Sequence, residues 1–429
     1  KTIVFDMPGD KHEEIMADKI LIATGSRPFI PNIPGLDQTP YWTSTEALQS
    51  DVLPKTLAVI GGSVVAVELA QAFSRLGSNV TILARSTLLS KADPALGEGL
   101  KSAFESEGIE VLNQTVPNKI SYDGKQFHLE LMNRTITVDN VLVAAGRLAN
   151  TEELALDRAG VDVALNGSVI VNETMQTNIS HIYSAGDCTT LPKYVYVAAA
   201  AASRAAANMF GADIKLDLSI MPSVIFTDPQ VATVGLTDEQ AKIMGIEAES
   251  RLLTLDYVPR ALVGFDTKGF MKLVAEKGTG RLLGAQFLAH EGGEAIQTIV
   301  MALQARMTIK DLSRQLFPYL TMVEGIKLCA QTFTKNAKEL SCCAETTFDK
   351  EDMNLSNDTT VAAENKSACC AKDVKLTNTG TFGVMVQAVT DNPVKSALFS
   401  FGLFATGLYL LNNFSDTALE EAINEMRPN

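Results

Sequence analysis

Short uninterrupted apolar runs that halt at a glycine recur along this chain. Ile20-Leu21-Ile22-Ala23 stops at Thr24-Gly25, Leu57-Ala58-Val59-Ile60 at Gly61-Gly62, the run from Val141 at Gly146, and His181 to Ala185 at Gly186. Runs this short, without polar alternation, read as strands buried on both faces, and such strands need partners from elsewhere in the chain. Val64 to Leu76 predicts a helix closed by Gly77, and Asn79 to Ala84 the next strand. That β-turn-α-β order requires a parallel pair joined by a right-handed crossover.

Other segments are less emphatic. Thr2 to Phe5 is amphipathic and hairpin-like, and residues 98–107 predict a helix. Phe127 to Leu131 with Thr135 to Val138 predicts a polar hairpin, Val169 to Val171 one more short strand, and Val195 to Met209 an alanine-rich helix. From about Met221 the texture changes. Ser223 to Phe226, Gln230 to Gly235, Phe270 to Val274 and Leu282 to Leu288 predict strands, and Glu291 to Arg306 and Thr308 to Leu316 helices. The expectation is an antiparallel sheet with helices on one side, an α+β unit. Residues 345–360 are polar and read as a linker. Ala397 to Leu411 is apolar but shorter than the ~20 residues of a membrane span, so a buried or surface-lying helix is expected and membrane association is not favoured. Asp416 to Met426 predicts an exposed acidic helix.

Composition narrows the classes. A length of 429 residues predicts several domains, and 46% hydrophobic residues exclude global disorder. A formal charge of −14 has the wrong sign for a nucleic-acid binder that works by neutralising phosphates. The six cysteines are not spaced as a secreted disulfide framework, and four fall in adjacent pairs, Cys342-Cys343 and Cys369-Cys370. Adjacent Cα atoms lie about 3.8 Å apart, below the roughly 4.4–6.8 Å of relaxed disulfides, so Cys342 and Cys343 read as a pair of free thiols suited to a soft metal ion. No secretory leader can be read from Lys1 onward, and a cytoplasmic location is expected.

The turn Gly61-Gly62-Ser63-Val64-Val65-Ala66 fits a dinucleotide fingerprint with Ser63 in place of its second glycine. Gly61 permits the tight turn, Ser63 a close backbone approach to pyrophosphate, and Ala66 close helix–strand packing, while the helix start offers free N–H groups. At the end of the next strand an NAD site would place an acidic residue; here Arg85 and Ser86 suit a 2′-phosphate, which predicts NADP. Asp187, beyond Gly186, can accept hydrogen bonds from the hydroxyls of a second dinucleotide or simply cap a helix.

Ile22-Ala23-Thr24-Gly25-Ser26-Arg27-Pro28, the Gly61 turn, Ala144-Ala145-Gly146-Arg147 and Ala185-Gly186-Asp187 together resemble the FAD-dependent pyridine nucleotide–disulfide oxidoreductases. Phe317-Pro318-Tyr319-Leu320-Thr321-Met322-Val323-Glu324 and Leu340-Ser341-Cys342-Cys343-Ala344 resemble the mercuric reductases within that family. The resemblance covers about residues 1–344. It implies a Rossmann-like α/β NADP-binding domain (37–147), the remainder of an FAD-binding domain (1–36 and 148–221) and an α+β dimerisation domain (222–344) forming a homodimer, with 345–429 an extension outside the family. It further implies that Asp187 and Val195 contact FAD, that Gly61 to Ala66 and Arg85 hold NADPH, and that Glu68 lies near the nicotinamide–flavin contact. Gly25, Gly146, Arg147 and Gly186 join the cofactor-binding candidates. Cys342 and Cys343 would capture Hg(II) and pass it to a redox dithiol of the partner subunit.

Tyr319 separates the relatives. Disulfide-reducing members place a histidine there, positioned by a glutamate five residues on, to shuttle the dithiol proton; here Glu324 remains and Tyr319 replaces the imidazole. The resemblance gives Tyr319 an approach to the thiolate-bound metal; the structural alternative is an aromatic core residue at a strand end. Cys329 and Cys188 read as buried small residues. Neither an amino-terminal Gly-x-Gly-x-x-Gly unit nor a Cys-x4-Cys pair occurs in the chain. The sequence is therefore expected to begin in mid-protein and, taken alone, not to complete turnover. Two other readings stand beside NADPH-dependent Hg(II) reduction: another flavin disulfide reductase such as dihydrolipoamide dehydrogenase, or a non-catalytic, dimerising, thiol-bearing remnant.

Overall fold

The computed structural model describes residues 2–7 and 11–340. The linker from 345, the second cysteine pair and the two expected tail helices lie outside the described residues. The chain opens with an antiparallel hairpin of β1 (Thr2–Met7) and β2 (Lys11–Met16), followed by β3 (Ile20–Ile22), β4 (Ser26–Pro28) and the capping-box helix α1 (Ser44–Gln49).

Next comes the β-turn-α-β unit. Strand β5 (Thr56–Ile60) leads into α2 (Val64–Leu76), which ends at Gly77 in the left-handed region (φ 114°), and β6 (Asn79–Leu83) runs parallel to β5. Helix α3 (Pro94–Ser106) begins four residues earlier than its apolar spacing suggested, because Asp93 caps it and Pro94 occupies the first turn. Strands β7 (Glu110–Leu112), β8 (Lys119–Tyr122), β9 (Phe127–Glu130), β10 (Thr135–Val138) and β11 (Asn140–Val143) follow. The parallel sheet has the order β11-β5-β6-β7, and the expected hairpin is part of a three-stranded sheet β10-β9-β8. Every side chain from Leu57 to Ile60 is buried because the sheet is covered on both faces. Leu57 and Val59 pack with Val67, Leu100 and Phe104 of α2 and α3, whereas Ala58 and Ile60 pack with Ile120, Phe127 and Leu129 of the antiparallel sheet.

The chain then returns to its beginning. Strand β12 (Arg147–Ala149) pairs with β4, and β13 (Ile182–Ser184) runs parallel to β3, ahead of α4 (Val195–Met209). Val169 to Val171 is not a strand: only Val169 makes isolated bridges, to Val163 and Thr189, while Ile170 is exposed.

The remainder is built on β14 (Ser223–Ile225), β15 (Gln230–Gly235), α5 (Asp238–Ile243), β16 (Ala248–Thr254), α6 (Pro259–Val263), β17 (Phe270–Glu276), β18 (Leu282–Ala289), α7 (Gly292–Gln304), α8 (Ile309–Arg314) and α9 (Glu324–Gln331). The sheet β14-β15-β18-β17-β16 is antiparallel throughout. Its helices are not confined to one side. Leu273 and Phe287 face α7 and α9, but Val274 packs on Ala241 of α5, and Phe270 and Leu288 pack on α3. Gly99 makes that last contact close: a Cβ there would sit 2.6 Å from Leu288 Cδ2. Strand β18 is buried along its whole length for this reason.

Candidate functional site

The turn between β5 and α2 is shaped by backbone contact. Gly61 (φ 139°) lies against the end of β11, and a Cβ there would stand 2.2 Å from the Ala144 carbonyl oxygen. A Cβ on Gly62 would meet Ala84 Cβ at 3.0 Å, and the Gly62 carbonyl accepts from Leu89 N–H at 2.7 Å. Ala66 is fully buried where helix meets strand. Ser63 is the exposed N-cap of α2, and its side chain makes no capping hydrogen bond. The first-turn N–H groups of this 13-residue helix are therefore left to an external acceptor. Arg85 lies two residues beyond β6, is exposed, and has no side-chain hydrogen bond or ion pair among the described residues. The loop that carries it is anchored where Gln114 N–H donates to the Ser86 carbonyl at 2.9 Å.

Glu68, on the same helix, points elsewhere than toward this turn. Its Oε1 accepts from Phe226 N–H at 2.8 Å. One and two turns further on, Gln71 and Arg75 continue the same face. Gln71 exchanges two hydrogen bonds with the Asp228 backbone, at 2.8 and 2.7 Å, and Arg75 pairs with Glu107 and Asp228, both at 2.8 Å. The i, i+3, i+7 spacing puts these three on one helix face, and residues 226 and 228, which they grip, lie more than 150 residues away in sequence.

A second cluster forms where the first strands meet the returning chain. Arg147 donates from Nε to Ser26 Oγ and from Nη2 to the Ser26 carbonyl, each at 2.7 Å, and Ser26 Oγ donates to Asp187 Oδ2 at 2.9 Å. Asp187 Oδ2 also lies 3.7 Å from Arg147 Nε. Gly25 (φ 73°), Gly146 (φ 139°) and Gly186 (φ 83°) turn the backbone at the edges of this network. Lys193 donates to the Asp187 carbonyl. Val195 opens α4 and is 87% exposed, and Tyr194 as N-cap makes no side-chain cap, so this helix start is also uncapped. Tyr194 and Tyr196 stack at 5.2 Å and rivet the helix start to the entry of the next sheet, Tyr194 through the Ser223 hydroxyl and Tyr196 through the Pro222 carbonyl at 2.6 Å. Sequence reading passed over Ser26, Gln71 and these two tyrosines. The only signal for the tyrosines was an aromatic pair flanking a helix start.

Tyr319 lies in a turn between α8 and α9 and is 36% exposed, so it is neither a core residue nor at a strand end. Glu324, by contrast, is 1% exposed, and its Oε2 accepts from the N–H of Leu320, which holds a positive φ of 61°. The buried carboxylate thus shapes the turn that presents the phenol. Cys329 is fully buried, and burial pushes its thiol up to about 12. Cys188 is equally buried and donates to the Ala185 carbonyl. Neither sulfur has the exposure a reactive thiolate needs. Cys342 and Cys343 lie outside the described residues.

Residues 1–202 match the model of the pyridine nucleotide-disulphide oxidoreductases, and residues 221–330 match that family's dimerisation domain. The mercuric reductase of Streptomyces lividans is 43% identical over 335 residues, covering 77% of this chain and 71% of that protein. The chain belongs to this oxidoreductase family. The mercuric reductase of Shewanella putrefaciens is 60% identical over 343 residues, covering 80% of this chain and 62% of that protein, so the chain spans about three fifths of that relative's length. Among solved structures, the HOCl-induced flavoprotein disulfide reductase RclA of Escherichia coli superposes with a TM-score of 0.69 at 28% identity, covering 76% of this chain and 75% of that one. The fold is accordingly that of the family, a redox part followed by its dimerisation domain. No helix among the described residues is long and apolar enough to cross a membrane.

Proposed function

We propose that these residues are the nucleotide-binding, flavin-contacting and dimerising share of a mercuric reductase, with residues 37–147, 1–36 plus 148–221, and 222–344 as the respective parts. In such an enzyme NADPH, FAD and a dithiol together carry two electrons to Hg(II) and release Hg(0). The observation that carries the assignment is Tyr319: a phenol stands on a turn held by buried Glu324, where a disulfide-reducing site requires an imidazole.

The residues present fit both dinucleotides. The uncapped start of α2 and the Gly61–Gly62 cradle, which a Cβ would fill, suit a pyrophosphate, and the unpaired guanidinium of Arg85 suits a 2′-phosphate. On the flavin side, Ser26 and Arg147 hold Asp187 in place, and the exposed helix start at Val195 offers free N–H groups. Tyr319 would orient metal-bound thiolates, and Cys342 with Cys343 would take Hg(II) from competing thiols, since soft sulfur ligands select soft ions. No Cys-x4-Cys pair lies within these residues, so the dithiol is supplied from outside them.

Two tests follow. In the chain completed by an amino-terminal flavin-binding and Cys-x4-Cys segment, Cys342→Ala with Cys343→Ala is expected to abolish Hg(II)-dependent NADPH oxidation at low mercury with competing thiols present. Unchanged rates would remove the capture role. Arg85→Ala is expected to weaken NADPH binding about tenfold to hundredfold while leaving NADH binding unaltered, the loss of a charge-assisted hydrogen bond of roughly 1.5–3 kcal/mol. Titration with both nucleotides checks this, and equal losses for the two would refute a 2′-phosphate contact.

A further inference from the structure

Three corners of the dimerisation sheet converge beside α2. Asp228 lies between β14 and β15, Asp266 between α6 and β17, and His290 between β18 and α7. One carboxylate oxygen from each aspartate and one imidazole nitrogen all lie within 4.8 Å of one another. We propose that Asp228, Asp266 and His290 form a binding site for a first-row divalent cation of the zinc, nickel or copper type, separate from the cysteine pair.

The arrangement differs from an acidic surface patch in its donor set and in its positioning. Two like charges brought this close repel unless a counter-charge serves both. Of the two aspartates Arg75, which also pairs with Glu107, touches Asp228 alone, on Oδ2 at 2.8 Å, and a carboxylate retains further lone pairs for a second partner. The Asp266 carboxylate has no hydrogen bond or ion pair among the described residues, although its backbone is tied to the Ala261 carbonyl at 3.0 Å. The Asp228 backbone is held on both its N–H and its C=O by the buried Gln71 side chain, which fixes its Cα beside the cluster, while the Arg75 ion pair holds its carboxylate. His290 is the adjustable member. Its side chain is half exposed and, among the described residues, otherwise meets Glu291 at 3.8 Å, so ring rotation can bring its nitrogen to the ~2.0–2.2 Å that such metals require. An imidazole beside two carboxylates selects first-row divalent ions over Mg²⁺ or Ca²⁺, with water completing the open positions. A bound ion would tie the three corners together where α2 grips residues 226–228.

The experiment uses the full chain with all accessible thiols alkylated by iodoacetamide, so that the cysteine pairs contribute nothing. Cobalt(II) chloride is titrated and its visible d–d absorption followed, with zinc(II) displacement as the second reading. One saturable equivalent per chain is expected, displaced by zinc and not by magnesium. His290→Ala and Asp266→Asn should each lower the affinity more than about tenfold without changing the circular dichroism of the unliganded chain. Absence of saturable cobalt binding to the alkylated wild type, or undiminished binding in both variants, overturns the site. A measurement free of variants is the electron paramagnetic resonance spectrum of one equivalent of copper(II), which should show coupling to a single imidazole nitrogen; a spectrum without nitrogen coupling overturns it equally.

Discussion

Gly61→Ala is expected to cost the chain both its proposed nucleotide site and a large part of its stability. The added Cβ would stand 2.2 Å from the Ala144 carbonyl oxygen, and the obstacle is backbone at the end of the neighbouring strand β11, so no rotamer change relieves it. At φ 139° the residue also occupies a region that side-chain-bearing residues rarely adopt. The strand pair would have to splay, which breaks the 2.9 Å bond from Ala144 N–H to the Ile60 carbonyl. Overpacking and backbone strain, about 1–3 kcal/mol each, give a destabilisation on the order of 4 kcal/mol. Trp42, the sole tryptophan, is a built-in reporter: it bridges to Leu142 of β11, and its ring lies 6.1 Å from that of Phe73 on α2. Urea unfolding followed by its fluorescence should show the loss, and NADPH binding should disappear with it. Gly25→Ala isolates the steric part, since its φ of 73° is also positive but a Cβ there meets nothing within 4 Å, so it should cost clearly less than Gly61→Ala. A Gly61→Ala chain with wild-type midpoint and affinity would contradict the packing argument.

Lys272→Met is expected to be comparably damaging for an electrostatic reason. Lys272, on β17, has a side chain only 13% exposed and bridges Asp93, the 5% exposed N-cap of α3, to Asp238 at the start of α5. Its removal leaves Asp93 buried without a cation, a loss of about 3–5 kcal/mol in other proteins. Asp93→Asn added to Lys272→Met should recover part of the loss, and a double variant no better than the single would argue against an uncompensated charge. The pH dependence has a definite sign. Burial works to lower the Lys272 ammonium, but the hydrogen bonds and charges of Asp238 and Asp93 outweigh it and hold it above its ordinary value. Its contribution is thus present below that ordinary value and disappears as pH rises through the raised one. Burial works to raise the Asp238 carboxyl, and Lys272 and Ser250 outweigh it, holding the group below its ordinary value. That contribution is present above the ordinary value and disappears as acid titrates through the lowered one. Wild type should therefore lose this stabilisation at both extremes, whereas Lys272→Met should lack the alkaline loss and show a smaller acid one, since Ser250 still holds Asp238. Urea midpoints across pH measure it.

Much of the local structure was legible because it depends on near neighbours. The limits of α2 followed from apolar spacing between a glycine turn and Gly77, and the burial of Cys329 followed from its place in an apolar helical run. Strands β8 and β16 were not legible, since each is short of apolar alternation: β8 is held by the neighbouring β9 and has only Ile120 buried, and β16 is paired to β17 across an intervening helix and turn. The expectation of helices on one side of the last sheet failed because α3, well over a hundred residues earlier, covers the other face through Phe270 and Leu288.

The amino-acid sequence by itself determined the glycine-ended strands, the helix start after Ser63, the cation at Arg85 and the phenol at position 319, because steric freedom, helix periodicity and side-chain chemistry act over a few residues. Only the tertiary structure decided that Ser26 joins Arg147 to Asp187, that Glu68 and Gln71 hold residues 226–228, and that Asp228, Asp266 and His290 meet. Those meetings depend on how whole faces of helices and sheets pack against one another, and no spacing along the chain encodes which distant surface a given face will find.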